Sequence, residues 1–341
     1  MNNLKVAVVI LNWNGKHFLE KFLPVVIQFS PIDSVYVADN NSSDDSVVFL
    51  KSHFPQVNII LNKENGGFAK GYNDALKKIN AEYFILLNSD VEVTENWIEP
   101  IIAFMDEHPD VAACQPKILA FNDKSKFEYA GACGGFIDKY GYPFCRGRMF
   151  DVCETDNGQY NDIAEIVWAT GACMFVRANI YNQLNGFDED YFAHMEEIDL
   201  CWRMRNRGKR IFVIPQSVVY HVGGGTLNKS NPKKTFLNFR NNLITLIKND
   251  PSAFILFKII YRLILDGIAG IVFLLKGNPM DCLAIIRAHF AFYAQIFKAF
   301  KKRKINFSAQ EFKPNVSLIL KSNSVFLFYV KGKKYFLDIK F

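Results

Sequence analysis

The sequence predicts an α/β fold: a mostly parallel sheet flanked by helices, with a C-terminal helical extension and a small β appendage. Three observations carry this. Up to about His108, short apolar runs alternate with segments of helical spacing, the mark of βαβ units. Tyr83-Phe84-Ile85-Leu86-Leu87 runs unbroken into Asn88-Ser89-Asp90, as does a strand buried on both faces. After Pro109 the texture changes, and from Pro232 to about Phe300 it is helical again.

Val6 to Leu11 reads as the first strand, closed by the turn signal Asn12-Trp13-Asn14-Gly15. Phe18, Leu19, Phe22, Leu23, Val26 and Ile27 then give a helix over about Lys16 to Phe29. Ser34 to Ala38 is a second strand, and Ser42 or Ser43 can N-cap a helix to about His53. Val57 to Leu61 is a third strand, followed by Asn65-Gly66-Gly67 and a helix from about Phe68 to Ile79. The strand ending at Asn88 comes next, then a helix over Trp97 to His108 and a strand over Val111 to Gln115. About Lys117 to Asp162 lacks helical period and reads as hairpins and loops. Ala172 to Val176 is a strand and Glu196 to Arg207 a helix. Arg210 to Ile214 and Ser217 to His221 read as two short strands. Val316 to Leu320, Val325 to Val330 and Lys334 to Ile339 read as a small antiparallel meander. The expected units are 1–230, with halves of about 1–115 and 116–230, then a helical region 231–305 and the appendage 306–341.

Half of the 341 residues are apolar, enough for a sizeable core. The chain leads from Met1 straight into a strand-like run, so no signal peptide is expected. Seven cysteines without a C-x-x-C pair read as reduced, cytosolic residues. Lys229 to Lys304 holds fourteen Lys and Arg against three Asp, +11 of a total of +6, so the remainder carries −5. The basic excess is local, and its partner is expected to be anionic.

Residues two apart on a strand point the same way, so Asn88 and Asp90 present oxygen ligands at the carboxyl end of the sheet. Hard oxygens suit Mg²⁺ or Mn²⁺; alone, the tripeptide is equally an ordinary polar turn. Asp39, at the end of the second strand, can accept from a base or ribose, or simply cap its loop. Asn65 to Asn73 opens a helix with glycines that allow close backbone approach, and a helix N-terminus attracts phosphate. Its spacing matches neither G-x-G-x-x-G nor a P-loop. Glu196, Glu197 and Asp199 are three carboxylates in four residues; mutual repulsion raises at least one pKa, as a general base requires. They also fit an acidic first helical turn. His221 stands at a strand end before Gly223-Gly224-Gly225, as a metal ligand or a structural histidine.

Together these pieces resemble the family-2 glycosyltransferases of GT-A fold, in their rhamnosyltransferase-like branch, over about residues 4–245. The resemblance rests on Asn12-Trp13-Asn14-Gly15, Asp39 to Asp44, Asn65 to Asn73, Asn88-Ser89-Asp90, Trp168 to Met174, Gly186 to Glu189 and Glu196 to Asp199. It implies inverting transfer of a sugar, rhamnose or another hexose, from a nucleotide diphosphate sugar of UDP, dTDP or GDP type. The implied acceptor is a hydroxyl of a glycan or lipid-linked glycan in cell-surface polysaccharide synthesis; nucleic acid is not an implied partner. Asn12, Asn14, Asp39, Asn41, Asn65, Gly67, Asn73, Asn88, Ser89 and Asp90 would hold the nucleotide sugar. Asp90 and His221 would hold Mg or Mn. Trp168, Thr170 and Gly171 would face the acceptor, with Glu197 or Glu196 as base and Asp199 beside them. Asn88 stands where the family motif carries its first Asp, and Glu197 where it usually carries Asp. A non-catalytic nucleotide-sugar binding protein is the alternative; metal-dependent release of nucleotide diphosphate separates the two. No G-x-S-x-G elbow favours acyl transfer.

In the tail, Lys258, Arg262 and Asp266 interrupt the apolar run Ala253 to Leu275 at four-residue spacing. Three ionisable residues argue against a membrane span, and a narrow charged stripe beside a wide apolar face fits an interfacial anchor. Lys298, Lys301, Lys302, Arg303 and Lys304 would then meet anionic headgroups on the cytoplasmic face. Packing on the catalytic domain or a second subunit is the other reading of the same helix.

Overall fold

The computed structural model describes residues 4–223 and 231–341. Most of the glycine loop expected after His221 falls on 224–230, outside the described residues. The elements in order are β1 (Leu4–Asn12), α1 (Lys16–Gln28), β2 (Val35–Asp39), α2 (Ser46–His53), β3 (Asn58–Leu61) and α3 (Gly67–Leu76). Then come β4 (Ala81–Asn88), β5 (Val91–Val93), α4 (Glu99–Glu107), β6 (Val111–Ala120) and β7 (Asp123–Phe127). Four short strands follow: β8 (Gly135–Ile137), β9 (Pro143–Cys145), β10 (Arg148–Met149) and β11 (Val152–Cys153). The sequence of elements continues with β12 (Ala164–Glu165), β13 (Cys173–Arg177), α5 (Ala178–Gln183), α6 (Glu196–Arg205) and β14 (Arg210–His221). The tail is α7 (Pro232–Asn249), α8 (Ile255–Leu275), α9 (Pro279–Phe307) and α10 (Ser324–Tyr329).

The main sheet runs β12-β14-β6-β13-β4-β1-β2-β3. It is parallel through β4-β1-β2-β3; β13 enters antiparallel between β4 and β6. The unbroken apolar strands follow from burial on both faces. Val8, Ile10, Ile85 and Leu87 enter one core, while Ala7, Val9, Phe84 and Leu86 enter the other. Each such side chain contributes about 1.5–3 kcal/mol. The register sets Asn12 beside Asp39 and Leu11 beside Asn88, so the polar strand ends share one edge.

Three expectations change. The two strands over Arg210–His221 are one, with a bulge where the register skips from Ile214 to Val218; Pro215 there has no N–H to give the ladder. Ser42 and Ser43 do not cap α2, which begins after Asp45, because both serines bond to the first loop instead.

The β appendage is absent. Residues 306–341 hold α10 and a 3₁₀ turn, tied on by isolated bridges at Lys313 and Leu320. Asn323 caps α10 by accepting from the Phe326 N–H at 2.9 Å, and Ser324 donates to the buried Asp138 carboxylate at 2.8 Å. Phe328 and Phe336 pack on Phe150 and Phe136, so the apolar residues find partners without a ladder.

The amphipathic α8 keeps its charged stripe against the rest of the protein. Arg262 lies over the Tyr142 ring at 3.7 Å and donates to the Tyr140 carbonyl at 2.6 Å. Asp266 accepts from Tyr142, and Lys258 pairs with Asp250. The charged stripe is inside, and the apolar face is outside. Leu256, Phe257, Ile260, Ile264, Ile268 and Ile271 are all at least half exposed. Among the described residues no helix is long and apolar enough to cross a membrane.

Candidate active site

At the carboxyl edge of β1 and β2, Asp39 accepts from Asn12 Nδ2 at 3.0 Å and from the Ser42 N–H at 2.9 Å. Ser42 Oγ accepts from the Asn14 N–H at 2.9 Å, and Asn14 Oδ1 accepts from the Ser43 N–H at 2.7 Å. Asn14 and Asn41 take left-handed backbone, which asparagine tolerates. The loop is therefore built before any ligand arrives. Asn12 Oδ1 is buried without a partner, close to Gly15, whose missing Cβ would also approach Ser89 Oγ. Trp13, 46% exposed, lies on the rim; its exposure was not legible in the turn signal.

The N-terminus of α3 is not open to phosphate. The Phe68 and Ala69 N–H groups donate to the Phe192 carbonyl, at 2.7 and 3.3 Å. Gly67 has φ +81, and a Cβ there would lie 2.4 Å from that carbonyl oxygen. The close approach that calls for glycine is thus to the chain's own backbone. Asn65 remains on the rim, its Oδ1 accepting from Gly67 N–H and from Asn40. Asn73 is removed from the nucleotide set. Its amide donates to the Phe187 carbonyl and Glu189 and accepts from Tyr181 and the Phe187 N–H.

β5 returns antiparallel to β14, pairing Val91 with His221, which brings Asp90 and His221 together. His221 Nε2 lies 3.2 Å from Asp90 Oδ1 and 3.5 Å from Asn88 Nδ2. Its Nδ1 lies 3.1 Å from Glu128, a residue the sequence reading missed because it sits in a loop-like stretch. Burial opposes the imidazolium, but Asp90 and Glu128 outweigh it and hold the His221 pKa up at about 10. For Asp90, burial raises the pKa and the His221 charge more than offsets it, leaving the carboxyl below its usual range. Among the described residues no group of three or more His, Cys, Asp or Glu forms a metal cage. A cation here would rest on Asp90, whose oxygens suit Mn²⁺ or Mg²⁺, and on His221 once the cation has displaced its second proton, with a diphosphate completing the set.

α6 follows a loop in which Phe192, His194 and Met195 all have positive φ. Asn241 of α7 holds that loop by donating to the carbonyls of Tyr191, Ala193 and His194. Glu196 is buried; burial and the neighbouring Glu197 charge push its pKa well up. Glu197 is partly open, and burial lifts it to about 7 against backbone N–H groups that pull it down. Oε2 of each has no hydrogen-bond partner. A Cβ on Gly171 would touch Phe68 and lie 3.8 Å from Glu197 Cβ, so Gly171 adjoins Glu197.

Asp199 is not available for proton transfer. It is fully buried, 2.9 Å from Arg203 and 2.7 Å from Lys248, and the two cations more than offset burial and lower its pKa. Trp168 is also internal, donating to the Phe136 carbonyl at 2.9 Å and packing over Gly135. Thr170 is buried, accepting from the Ala172 N–H. Of the three acceptor-side residues, Gly171 borders Glu197.

Residues 7–154 match the family described as Glycosyl transferase family 2, and residues 83–230 match Glycosyl transferase family group 2. Over 230 residues the chain is 37% identical to the rhamnosyltransferase WbbL of Escherichia coli K12, spanning 63% of this chain and 83% of that protein. The chain belongs to the family 2 glycosyltransferases. It is also 24% identical over 234 residues to the N-acetylglucosaminyl-diphospho-decaprenol L-rhamnosyltransferase of Mycobacterium tuberculosis, covering 63% and 75% of the two chains. Among solved structures it resembles the mannosyltransferase PcManGT from Pyrobaculum calidifontis in complex with GDP-Man and Mn²⁺. The TM-score is 0.52 at 14% identity, over 86% of this chain and 88% of that one. A likeness at that identity speaks for the fold, GT-A. As a family 2 glycosyltransferase the protein is an enzyme that draws on a nucleotide sugar, and the edge formed by Asn12, Asp39, Asn88 and Asp90 is its candidate donor site.

Proposed function

We propose that this glycosyltransferase moves rhamnose or another hexose, with inversion, from a nucleotide diphosphate sugar to a hydroxyl of a lipid-linked glycan. The product would enter cell-surface polysaccharide. One observation carries the reading: Glu197 is a half-buried residue with a pKa near neutrality, beside Gly171, in the first turn of α6 just after the loop that meets α3. A base near pH 7 combines proton affinity with a populated anion. The acceptor oxygen attacks the anomeric carbon from the face opposite the diphosphate. Glu197 takes its proton, the bond from carbon to the diphosphate oxygen breaks, and the nucleotide diphosphate leaves with both electrons. Asp39, Asn12 and Asn65 would orient the nucleoside, and Asn88 and Ser89 the diphosphate side. Asp90 and His221 would hold the divalent cation, which supplies charge neutralisation on the leaving diphosphate.

We further propose that the α8–α9 hairpin seats the enzyme on the cytoplasmic face of a membrane. A contiguous exposed apolar face of this kind marks an interaction surface. The basic cluster supports this less than the sequence suggested. Lys298 and Lys302 pair with Asp190, Lys302 also with Asp188, and Arg303 donates to the Ile247, Asp250 and Ser252 carbonyls. Lys301 and Lys304 remain exposed for headgroups.

A panel of UDP, dTDP and GDP sugars, assayed for release of nucleotide diphosphate with Mn²⁺ or Mg²⁺, tests the donor reading. Release of nucleotide from one sugar class is expected; no release from any, with or without lipid acceptor, would sink it.

A further inference from the structure

A second cavity lies apart from the donor edge, between α7 and α9, with a volume of about 590 Å³. Its walls are Phe236, Leu237, Met280, Leu283 and Ala284, and its inner end is Phe192. Three cations line it, Lys233, Arg240 and Arg287, and among the described residues no acidic residue does.

Three observations bear on its occupant. First, the cavity joins the outer apolar face. Met280 and Leu283 line it and are 58% and 45% exposed, and Ile286 and Phe290 continue the same α9 stripe outward. Second, it ends on the loop that leads into Glu197 at the start of α6. Arg240 donates to the Asp190 and Tyr191 carbonyls, and Lys233 stands 4.9 Å from the Phe192 ring centre. Third, its charge is uncompensated. Arg287 is exposed and has no acidic partner among the described residues. Apolar walls with three cations and no acid match an amphiphile with an anionic head. A neutral lipid would leave the cations idle, and a free phosphate would leave the walls wet.

We propose that this cavity is the acceptor's lipid subsite: it takes the first isoprenoid units of a lipid diphosphate, whose phosphates meet Lys233, Arg240 and Arg287. The chain would enter from the α8–α9 face and present its sugar past Phe192 to Glu197. This inference rests on the lipid-linked acceptor reading above, and it locates that acceptor.

The test uses the full chain in detergent and farnesyl diphosphate as probe, read by calorimetry in the presence of saturating nucleoside diphosphate, which blocks the donor site. Farnesyl diphosphate is expected to bind at least tenfold more tightly than farnesol or inorganic diphosphate. Arg287→Glu and Leu283→Glu, both at exposed positions, should each weaken it at least tenfold and leave nucleotide binding unchanged. Arg287→Lys should retain most of the affinity. Equal binding of inorganic diphosphate, equal binding of dihexanoyl phosphatidylglycerol, or indifference to both Glu variants would overturn the subsite. Donor hydrolysis by the same preparations separates the two proposals. Hydrolysis with no binding in the cavity removes the subsite alone; no hydrolysis of any nucleotide sugar removes the functional reading.

Discussion

Changing Glu197 to Gln should remove activity and stabilise the protein at the same time. Burial lifts this carboxyl from its ordinary 4.5 to about 7. At about 1.36 kcal/mol per pKa unit, that is a ceiling of roughly 3 kcal/mol against the folded state at high pH. The side chain is partly open to solvent, which trims the figure to about 1–2 kcal/mol. The sign follows from where the proton sits. Below pH 4.5 folded and unfolded chains both hold it, and Glu behaves like Gln. Between 4.5 and 7 the unfolded chain loses it first, so wild-type stability falls until the folded carboxyl has also ionised. Thermal melts of the two proteins should therefore coincide near pH 4.5 and diverge through pH 7, with the variant higher. Over the same range wild-type kcat/KM should rise about tenfold per pH unit and level off above about 7, while the variant loses 10²- to 10⁴-fold. Glu196→Gln should leave most of the rate, because burial and its neighbour already keep Glu196 protonated. A variant at 197 that retains its rate, or that melts lower than wild type at every pH, would make Glu197 structural. A reversed pattern between the two glutamates would move the base to Glu196.

Asp90→Ala should abolish transfer at any Mg²⁺ or Mn²⁺ concentration yet fold, since Glu128 still pairs with His221; activity regained with excess metal would contradict this. Gly67→Ala forces a Cβ to 2.4 Å from the Phe192 carbonyl at φ +81. Left-handed backbone alone costs about 1–2 kcal/mol, so a urea midpoint unchanged from wild type would rule that contact out. Lys248→Met removes one cation from each of Asp188 and Asp199, leaving Lys302 on the first and Arg203 on the second. The expected loss is about 1.5–3 kcal/mol by denaturant titration, and a loss below about 0.5 would mean the ion pairs are not buried in solution. Lys302→Gln should lower stability by about 1 kcal/mol, whereas Lys301→Gln should leave stability alone and reduce sedimentation with anionic vesicles; the opposite assignment would reverse which face of α9 is inward.

The donor edge was legible because two simple regularities meet there. Strands buried on both faces appear as unbroken apolar runs, and ligand groups follow them at the carboxyl end, as at Leu87 to Asp90. Glu128 was hidden because its proximity to His221 comes from strand pairing: β14 on β6 sets His221 beside Ala120, and β6 on β7 sets Leu119 beside Phe127. Asn241 and Lys248 look like ordinary polar residues of a helix; their roles arise only once α7 packs on the loop that leads into Glu197. Asn73 and Trp168 belong to recognisable motifs, yet the structure uses them to hold the motifs in place. Periodicity found the stripe on α8 but not its direction. A buried Arg262 needs Tyr142 and Asn242, and nothing local announces such partners. The C-terminal residues read as strands since apolar runs of six suit strand or helix alike, and Asn323 was the overlooked cap.

The Phe192 carbonyl fastens the first turn of α3 to the loop that leads into Glu197, so one oxygen atom joins the helix after Asn65 to the proposed acceptor side. Moving that loop to admit an acceptor would uncap α3, and drawing α3 toward a nucleotide would pull on the loop. Either movement would link the binding of the two substrates thermodynamically. By whatever factor a bound nucleotide changes acceptor affinity, a bound acceptor changes nucleotide affinity by the same factor. Catalysis on this chain is in that sense a two-key arrangement, with the keys turning one shared pin.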